Sequence, residues 1–348
     1  MNHPIPQLSQ VKESFLRLAE QECKDVSPLY YYLSQNITQD DRLLAIAQKA
    51  KYRQPIPNLF LGAVHYLLFE HKDHDLAKFY PSIHPGAIAL PPFELFRSFC
   101  LAHQAAIEAL LRTKIVQTNA INRCAYLMPI FSQLAGSKAW TIIDIGASAG
   151  LNLNFDLYTY QYNGGDDVEN PTVIISSKIK DGEMPNWTSE INIKQRIGID
   201  QNPIDLKDPS QANWLKALIW ADQTKRFQRL EKAIAMQLEH PITLFKEDRI
   251  EGFRRIIDRV NEKHSIFLYH THVLYQFTKA ERVAFWQMLD ELGAKRDLEY
   301  LAVENYRILE NAYGQEGIPI VLTSYRSGNK EQQLIGKTNG HANWIEWV

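Results

Sequence analysis

Cysteine is scarce in this chain: three residues, Cys23, Cys100 and Cys124, lie far apart among 348. No CxxC or Cys/His spacing is present to hold zinc, and an odd number argues against a disulfide framework, so a reducing, cytoplasmic setting is expected, with no metal. Long apolar runs are missing as well, and nothing approaches the length needed to span a bilayer. The opening "MNHPIPQLSQVKESF" has neither the basic start nor the apolar centre of a signal peptide. Charge of one sign is also lacking. Lys and Arg number 38 against 40 Asp and Glu, a formal net charge of −2. No global field draws the chain to nucleic acid or to an anionic membrane, and neither is expected as a partner. What remains is an ordinary globular composition, 45% hydrophobic and 22% charged, with chain enough for one large domain or two ordinary ones.

The grammar changes along the chain. Residues 1–136 read as helices. "SPLYYYL" offers Ser27 as an N-cap and Pro28 at the first helical position. "TQDDRLLAIAQKA" carries a capping-box pattern from Thr38 to Asp41. "NLFLGAVHYLLF" is apolar almost all round, which predicts a buried helix. "PPFELFRSFCLAHQAAIEALLRTKIV" reads as one long amphipathic run, and "TNAINRCAYLMPIF" as a helix bent at Pro129. Residues 137–348 instead alternate short apolar runs ("WTIIDIG", "QRIGID", "ITLFKED", "SIFLYHT", "LEYLAVE", "PIVLTSY") with amphipathic stretches. That alternation predicts βαβ units and an α/β domain with a mostly parallel sheet. Less helix separates the last strands, which predicts an antiparallel edge. Residues 157–194 break the rhythm. They read as a β-rich insertion in which "YTYQYNGGDD" turns at Asn163-Gly164 and pairs with "TVIISS".

"TIIDIGASAGLNLNF" is the most informative stretch. A strand ending near Ile145 passes through Gly146, Ala147 and Ser148 to a helix expected to start near Ala149. Gly146 permits a tight turn, and Gly150 a close approach. Free N–H groups at a helix start suit a carboxylate or phosphate. Asp144 stands beside this cradle and Asn152 falls in the first helical turn. Ligands of open α/β sheets bind at the carboxyl ends of strands, near such a point. The glycine spacing is not that of a dinucleotide fingerprint. D-x-G-x-S-x-G resembles the first motif of S-adenosylmethionine-dependent methyltransferases, with Ser148 in place of the middle glycine. That resemblance implies a methyltransferase-like Rossmann sheet behind the helical region. The alternative is a turn whose glycines serve packing alone.

Three later landmarks bear on the same reading. In "RIGIDQNP", Asp200 ends the second strand, where a carboxylate can accept from ribose hydroxyls. It comes 50 residues after Gly150 rather than about 20, and it can instead cap the helix after Pro203. In "FKEDR", Asp248 is an adenine contact or a turn residue. In "YHTHVLYQ", His270 and His272 share one strand face, as a general base, substrate donors, a metal pair or a buried structural pair. Gln117, Asn119 and Arg123 are candidates for the substrate side, as are Tyr158 on its alternating strand and Tyr275.

Together "SPLYYYL", "PNLFLGAVHYLLF", "TKIVQTNAINR", "IDIGASAGLNLNFD", "RIGIDQNPIDL", "WLKALIWADQTKRFQRL", "HTHVLY" and "HANWIEW" resemble a bacterial domain-of-unknown-function family, number 2332, over nearly the whole chain. The family pattern has Thr-Asn-Glu where this chain has Thr118-Asn119-Ala120, and Trp-Pro where it has Trp220-Ala221. The expected function is methyl transfer from S-adenosylmethionine to a small molecule. The alternative is a non-catalytic nucleoside- or metabolite-binding or scaffold protein on the same fold.

Overall fold

The computed structural model describes residues 5–87, 89–117, 119–165, 171–186, 191–305, 307–309 and 316–348. Two compact units emerge: residues 1–118 with 206–231, and residues 119–205 with 232–348. The boundary thus falls at 118/119 rather than at 136, and the first unit also takes a segment from the middle of the sequence.

Every regular element described in the first unit is helical. Ser27 caps Pro28–Ile37 by accepting from the Tyr30 amide at 3.2 Å, with Pro28 at the first position, as the local signal predicts. Asp40, not Thr38, caps Asp41–Ala47; its carboxylate accepts from the Arg42 and Leu43 amides. Thr38 instead closes the preceding helix, its hydroxyl donating to the Gln35 carbonyl at 2.7 Å. The long run after Pro92 divides at His103 into Phe93–Ala102 and Gln104–Thr113. Ile56–Glu70 is buried on most sides and packs on Pro209–Ala217. Asp222 ties the inserted segment to the first helices: it accepts from the Ser27 hydroxyl at 2.6 and 2.8 Å and from the Leu29 amide at 3.0 Å.

The second unit is α/β. Its strands are β1 (Trp140–Ile145), β2 (Thr159–Tyr162), β3 (Ile174–Asp181), β4 (Ile193–Asp200), β5 (Thr243–Lys246), β6 (Ser265–Thr271), β7 (Leu298–Val303), β8 (Ile318–Arg326), β9 (Asn329–Thr338) and β10 (Trp344–Trp347). They form one sheet in the order β2-β3-β10-β9-β8-β7-β6-β1-β4-β5. Pairing is mostly parallel; only β7-β8, β8-β9 and β9-β10 are antiparallel. The antiparallel strands therefore lie inside the sheet, not at its edge. The 157–194 region is β-rich as expected, but β2 and β3 run parallel, so Asn163-Gly164 does not close a hairpin between them. They extend the sheet beyond β10.

Chain order reverses between β1 and β6. From β1 the sheet grows through β4 to β5 on one side and through β6 to β7 on the other, so β1 and β6 flank a switch point. Alternation sorts the side chains. Ile143, Ile145, Ile266 and Leu268 pack under Ile250–Ile257 and Lys279–Gly293. Trp140 and Phe267 face Phe131 of the helix Cys124–Ala135.

Replacing Asp222 by alanine leaves the buried Ser27 hydroxyl and the Leu29 amide without their acceptor. The expected loss is about 1–3 kcal/mol of stability, read by urea denaturation; an unchanged midpoint would remove this contact from the first unit's supports.

Candidate functional site

The loop after β1 is built as a strained turn. Gly146, Ser148 and Gly150 all take positive φ, at 78°, 56° and 74°. A Cβ at Gly146 would meet Val273 Cγ2 at 2.3 Å, and one at Gly150 would meet Ile242 Cδ1 at 2.1 Å. Both glycines thus serve conformation and packing together.

The backbone of this loop is answered by protein groups. The Gly146 and Ala147 amides donate to the Ile199 carbonyl, at 2.8 and 3.3 Å, and the Gly150 amide to the Ala147 carbonyl at 2.7 Å. The Ser148 amide donates to Asp200 Oδ2 at 2.7 Å and the Ala149 amide to Asn119 Oδ1 at 3.0 Å. Asn119 Nδ2 returns a bond to the Ala147 carbonyl at 3.2 Å, and Gln237 donates to the Ala149 carbonyl. Beyond Gly150 the chain forms no α-helix but a seven-residue 3-10 segment, Leu151–Leu157, interrupted at Asn154. Asn152 and Asn154 have low helix propensity, and here Asn154 is drawn outward to the His240 carbonyl. The expected anion cradle of free helix-end amides is therefore corrected: these amides hold the loop together.

Several predicted residues do converge at the carboxyl ends of β1, β4 and β6. Asp200, half-buried, also accepts from the Asn202 amide at 2.7 Å. Asp144 is buried on β1 opposite Tyr269 of β6. Its carboxyl is held well above the usual carboxylate range. Burial is the largest cause; the Tyr269 hydroxyl opposes it, the nearby Asp200 charge adds to it, and Arg123 opposes it. Arg123 donates from Nε to the Gly340 carbonyl and from Nη1 to the Thr271 carbonyl and hydroxyl, each at 3.1 Å. Among the described residues, no carboxylate lies within ion-pair distance of it.

The histidines separate. β6 ends at Thr271 and His272 turns to φ 56°, so the two do not continue one strand face. His270 is fully buried, with Phe285 and Tyr300 rings 6.1 and 5.7 Å away. Burial and His272 push its pKa down to about 3. It lies on the helix-covered face, with the buried Glu304 carboxylate 4.0 Å from its Nδ1, and does not suit a base that meets substrate. His272 is half-buried at the tip. Burial, Arg123 and His341 lower its pKa to about 3, leaving it neutral.

Other candidates fall away from this cluster or have structural work. Asn152 accepts from the Cys124 thiol at 3.5 Å. Tyr158 is buried, and its hydroxyl donates to the Leu151 carbonyl at 2.5 Å, so it does not wall a substrate pocket. Asp248 is on an exposed turn beside Arg249; Glu247, one residue earlier, accepts the amides that open the next helix. Tyr275 is largely exposed. Gln117 belongs to the first unit. Glu304, which sequence reasoning missed, is buried just past β7 and accepts the Val273, Leu274 and Asn305 amides. Its signal was present: "LEYLAVE" ends an apolar run on an acid, as "RIGID" does. A cavity of about 350 Å³ in this unit lies at the opposite, amino end of β4 and β5, between Lys194, Arg196 and Arg259. The switch point and the unusual charges are at the carboxyl end, and the site is placed there.

These features define an α/β protein with a switch-point loop braced by carboxylate and amide side chains. The chain belongs to the bacterial family described as "Uncharacterized protein conserved in bacteria (DUF2332)", whose model matches residues 12–347. No curated protein matches it.

Asp144 generates a stability test. With its folded pKa raised above the unfolded value, the native state binds the extra proton between the two values, and stability falls as pH rises through that window. Asp144→Asn should therefore melt higher than wild type at pH 7.5, with the gain vanishing below pH 4. An equal or lower melting temperature at pH 7.5 would contradict the assigned shift.

Proposed function

We propose that the second unit binds S-adenosylmethionine at the carboxyl ends of β1 and β4 and transfers its methyl group to a small molecule. The observation that carries this reading is Arg123, a half-buried cation answered, among the described residues, by carbonyl and hydroxyl oxygens beside a carboxyl that favours its neutral form. Such an arrangement suits a zwitterion: the guanidinium takes a ligand carboxylate, and a ligand ammonium or sulfonium restores the Asp144 charge. Asp200, oriented by the Ser148 and Asn202 amides, presents oxygens that can accept from ribose hydroxyls. Gly146, Ala147, Ser148 and Gly150 form the wall. Asp248, exposed, is the weakest of the proposed cofactor contacts.

Methyl transfer is an in-line displacement at a sulfonium carbon, and the protein's main task is positioning. His272 has so low a pKa that it is a weak proton acceptor. The geometry therefore favours an acceptor that brings its own lone pair, such as a carboxylate, over an alcohol that must first lose a proton.

The second reading, a non-catalytic nucleoside- or metabolite-binding protein, draws on the loop amides that are already occupied and on Ala120 in place of glutamate.

Calorimetry with S-adenosylmethionine, S-adenosylhomocysteine and NAD tests the proposal. S-Adenosylmethionine and S-adenosylhomocysteine should bind, and Arg123→Gln should weaken both more than about tenfold by removing the cation that takes the ligand carboxylate. Asp200→Ala should weaken binding more than about tenfold through loss of a charge-assisted contact. No binding of either adenosyl ligand sinks the proposal. Binding without any methyl transfer from labelled cofactor to a metabolite extract selects the second reading.

A further inference from the structure

The first unit contains a polar arrangement that the proposed function does not use. His65 lies inside the buried helix Ile56–Glu70 and is itself fully buried. Its Nδ1 is 3.0 Å from the Ala217 carbonyl oxygen and its Nε2 is 2.7 Å from Ser82 Oγ. Ala217 ends the helix Pro209–Ala217, so its carbonyl is one of those without an intrahelical partner. A carbonyl only accepts. The ring proton must therefore sit on Nδ1, which leaves Nε2 as a lone pair and makes the Ser82 hydroxyl the donor to it. That is the tautomer in which an imidazole withdraws a proton from a serine.

The ring is locked from the sides. Phe69, Tyr80 and Phe227 centroids lie 4.7, 5.6 and 6.2 Å from it. Burial pushes its pKa down to about 4, so it stays neutral across the physiological range and, like His272, accepts a proton weakly. Its part rests on the 2.7 Å contact that aligns Nε2 with the Ser82 hydroxyl, and it suits activated acyl groups whose leaving group asks little of the base. Ser82 is half-buried and lines a cavity of about 150 Å³ with Phe69, Lys72, Asn213, Lys216 and Phe227. Nucleophile, base, a group that holds the base, and a hollow in front of the nucleophile are thus all present. The hollow is walled by two ammonium groups, a carboxamide and the Glu231 carboxylate, which leaves one positive charge in excess. Lys216 is offset only in part by Glu231 at 3.8 Å.

We propose that Ser82 is an acyl-accepting nucleophile, with His65 as its base and the Ala217 carbonyl as the group that orients the ring, in a site that hydrolyses small acyl esters or thioesters bearing a negative charge. Ser82 Oγ bonds to the acyl carbon as its proton passes to His65 Nε2. The bond to the alcohol or thiol then breaks, and that proton leaves with it. Water attacks the acyl-serine, gives its proton to Nε2, and the carboxylic acid departs as Ser82 recovers its hydrogen. Asn213, Lys72 and Lys216 are the donors available to the oxyanion and to the substrate's charge. The small volume restricts the acyl chain to a few carbons.

The full chain is treated with p-nitrophenyl acetate and with p-nitrophenyl hydrogen succinate, and the p-nitrophenolate burst and the modified peptide are recorded. The expected result is a stoichiometric burst, an acyl group on Ser82, and faster reaction of the succinate ester. Ser82→Ala should lower the burst rate more than about a hundredfold. Because that variant strips His65 of its partner, Ser82→Cys serves as a second probe. Its new thiol should react with iodoacetamide ahead of the buried Cys23, Cys100 and Cys124. The burst rate should be flat from pH 6 to 8, since His65 is neutral throughout. No burst, an acyl group elsewhere than Ser82, or a rate rising with a midpoint near pH 7 would overturn the assignment. A preference for the acetate ester would overturn the anionic substrate class.

Discussion

A non-glycine residue at positive φ, buried where two parallel strands end, is the constraint around which the second unit is organised. Ser148 takes φ 56° between two glycines that do the same. A conformation of that kind costs of order 1 kcal/mol or more and persists only when its surroundings hold it. Its amide is held by Asp200, its neighbour's amide by Asn119, and its carbonyl by the Ile204 amide at 3.1 Å. Buried backbone groups must be answered, and here the answers come from β4, from the segment ahead of Cys124–Ala135 and from the chain beyond Asp200. The turn, the β1–β4 register and the position of the Asp200 carboxylate are one arrangement. None of the three can shift alone.

Period-two alternation then decides which groups can act together. Asp144 and Tyr269 pair across β1 and β6 on the face shared with Trp140 and Phe267, while His270 points to the other face, among Phe285 and Tyr300. His272 escapes the alternation because the chain turns there. Burial acts in opposite directions on the two kinds of group at the tip: it favours neutral Asp144 and neutral His272 alike.

Local signals were the legible part. The Ser27-Pro28 start, the buried helix over Ile56–Glu70, the strand β1 and the acid at the end of β4 are all set by spacing within a few residues. Non-local pairing was not legible. β3 pairs with β10 across more than half of the second unit's sequence, and nothing in "TVIISS" names that partner. β9 escaped notice because "NKEQQLIGKT" is largely exposed and polar over its first half. The helix expected after Gly150 is a 3-10 segment instead, in which Asn152 is engaged by the Cys124 thiol and Asn154 by the His240 carbonyl, partners distant in sequence. At the candidate site, the carboxylates were legible as strand-end acids. The occupation of the loop amides was not, because the acceptors come from positions 30 and 52 residues away. The contact of His65 with Ser82 and Ala217, at separations of 17 and 152 residues, was equally hidden.

The polar stretch "TNAINR" shows how structural and functional demands are told apart. Asn119 braces the loop after β1. Asn122 donates to the Ser176 and Ala342 carbonyls, at 2.8 and 2.9 Å, and accepts from the Ser176 amide at 3.1 Å, tying β3 to the turn before β10. Both amides are fully explained by what they join, and carboxamides are suited to it because each offers donors and an acceptor. Arg123 is different. Its bonds to the Gly340 and Thr271 oxygens also join two segments, yet a neutral donor would serve those contacts without bringing a charge under partial cover. Placing a guanidinium under partial cover with no carboxylate in ion-pair reach among the described residues carries a desolvation cost. In the proposed reading, a ligand carboxylate supplies the negative charge that faces Arg123.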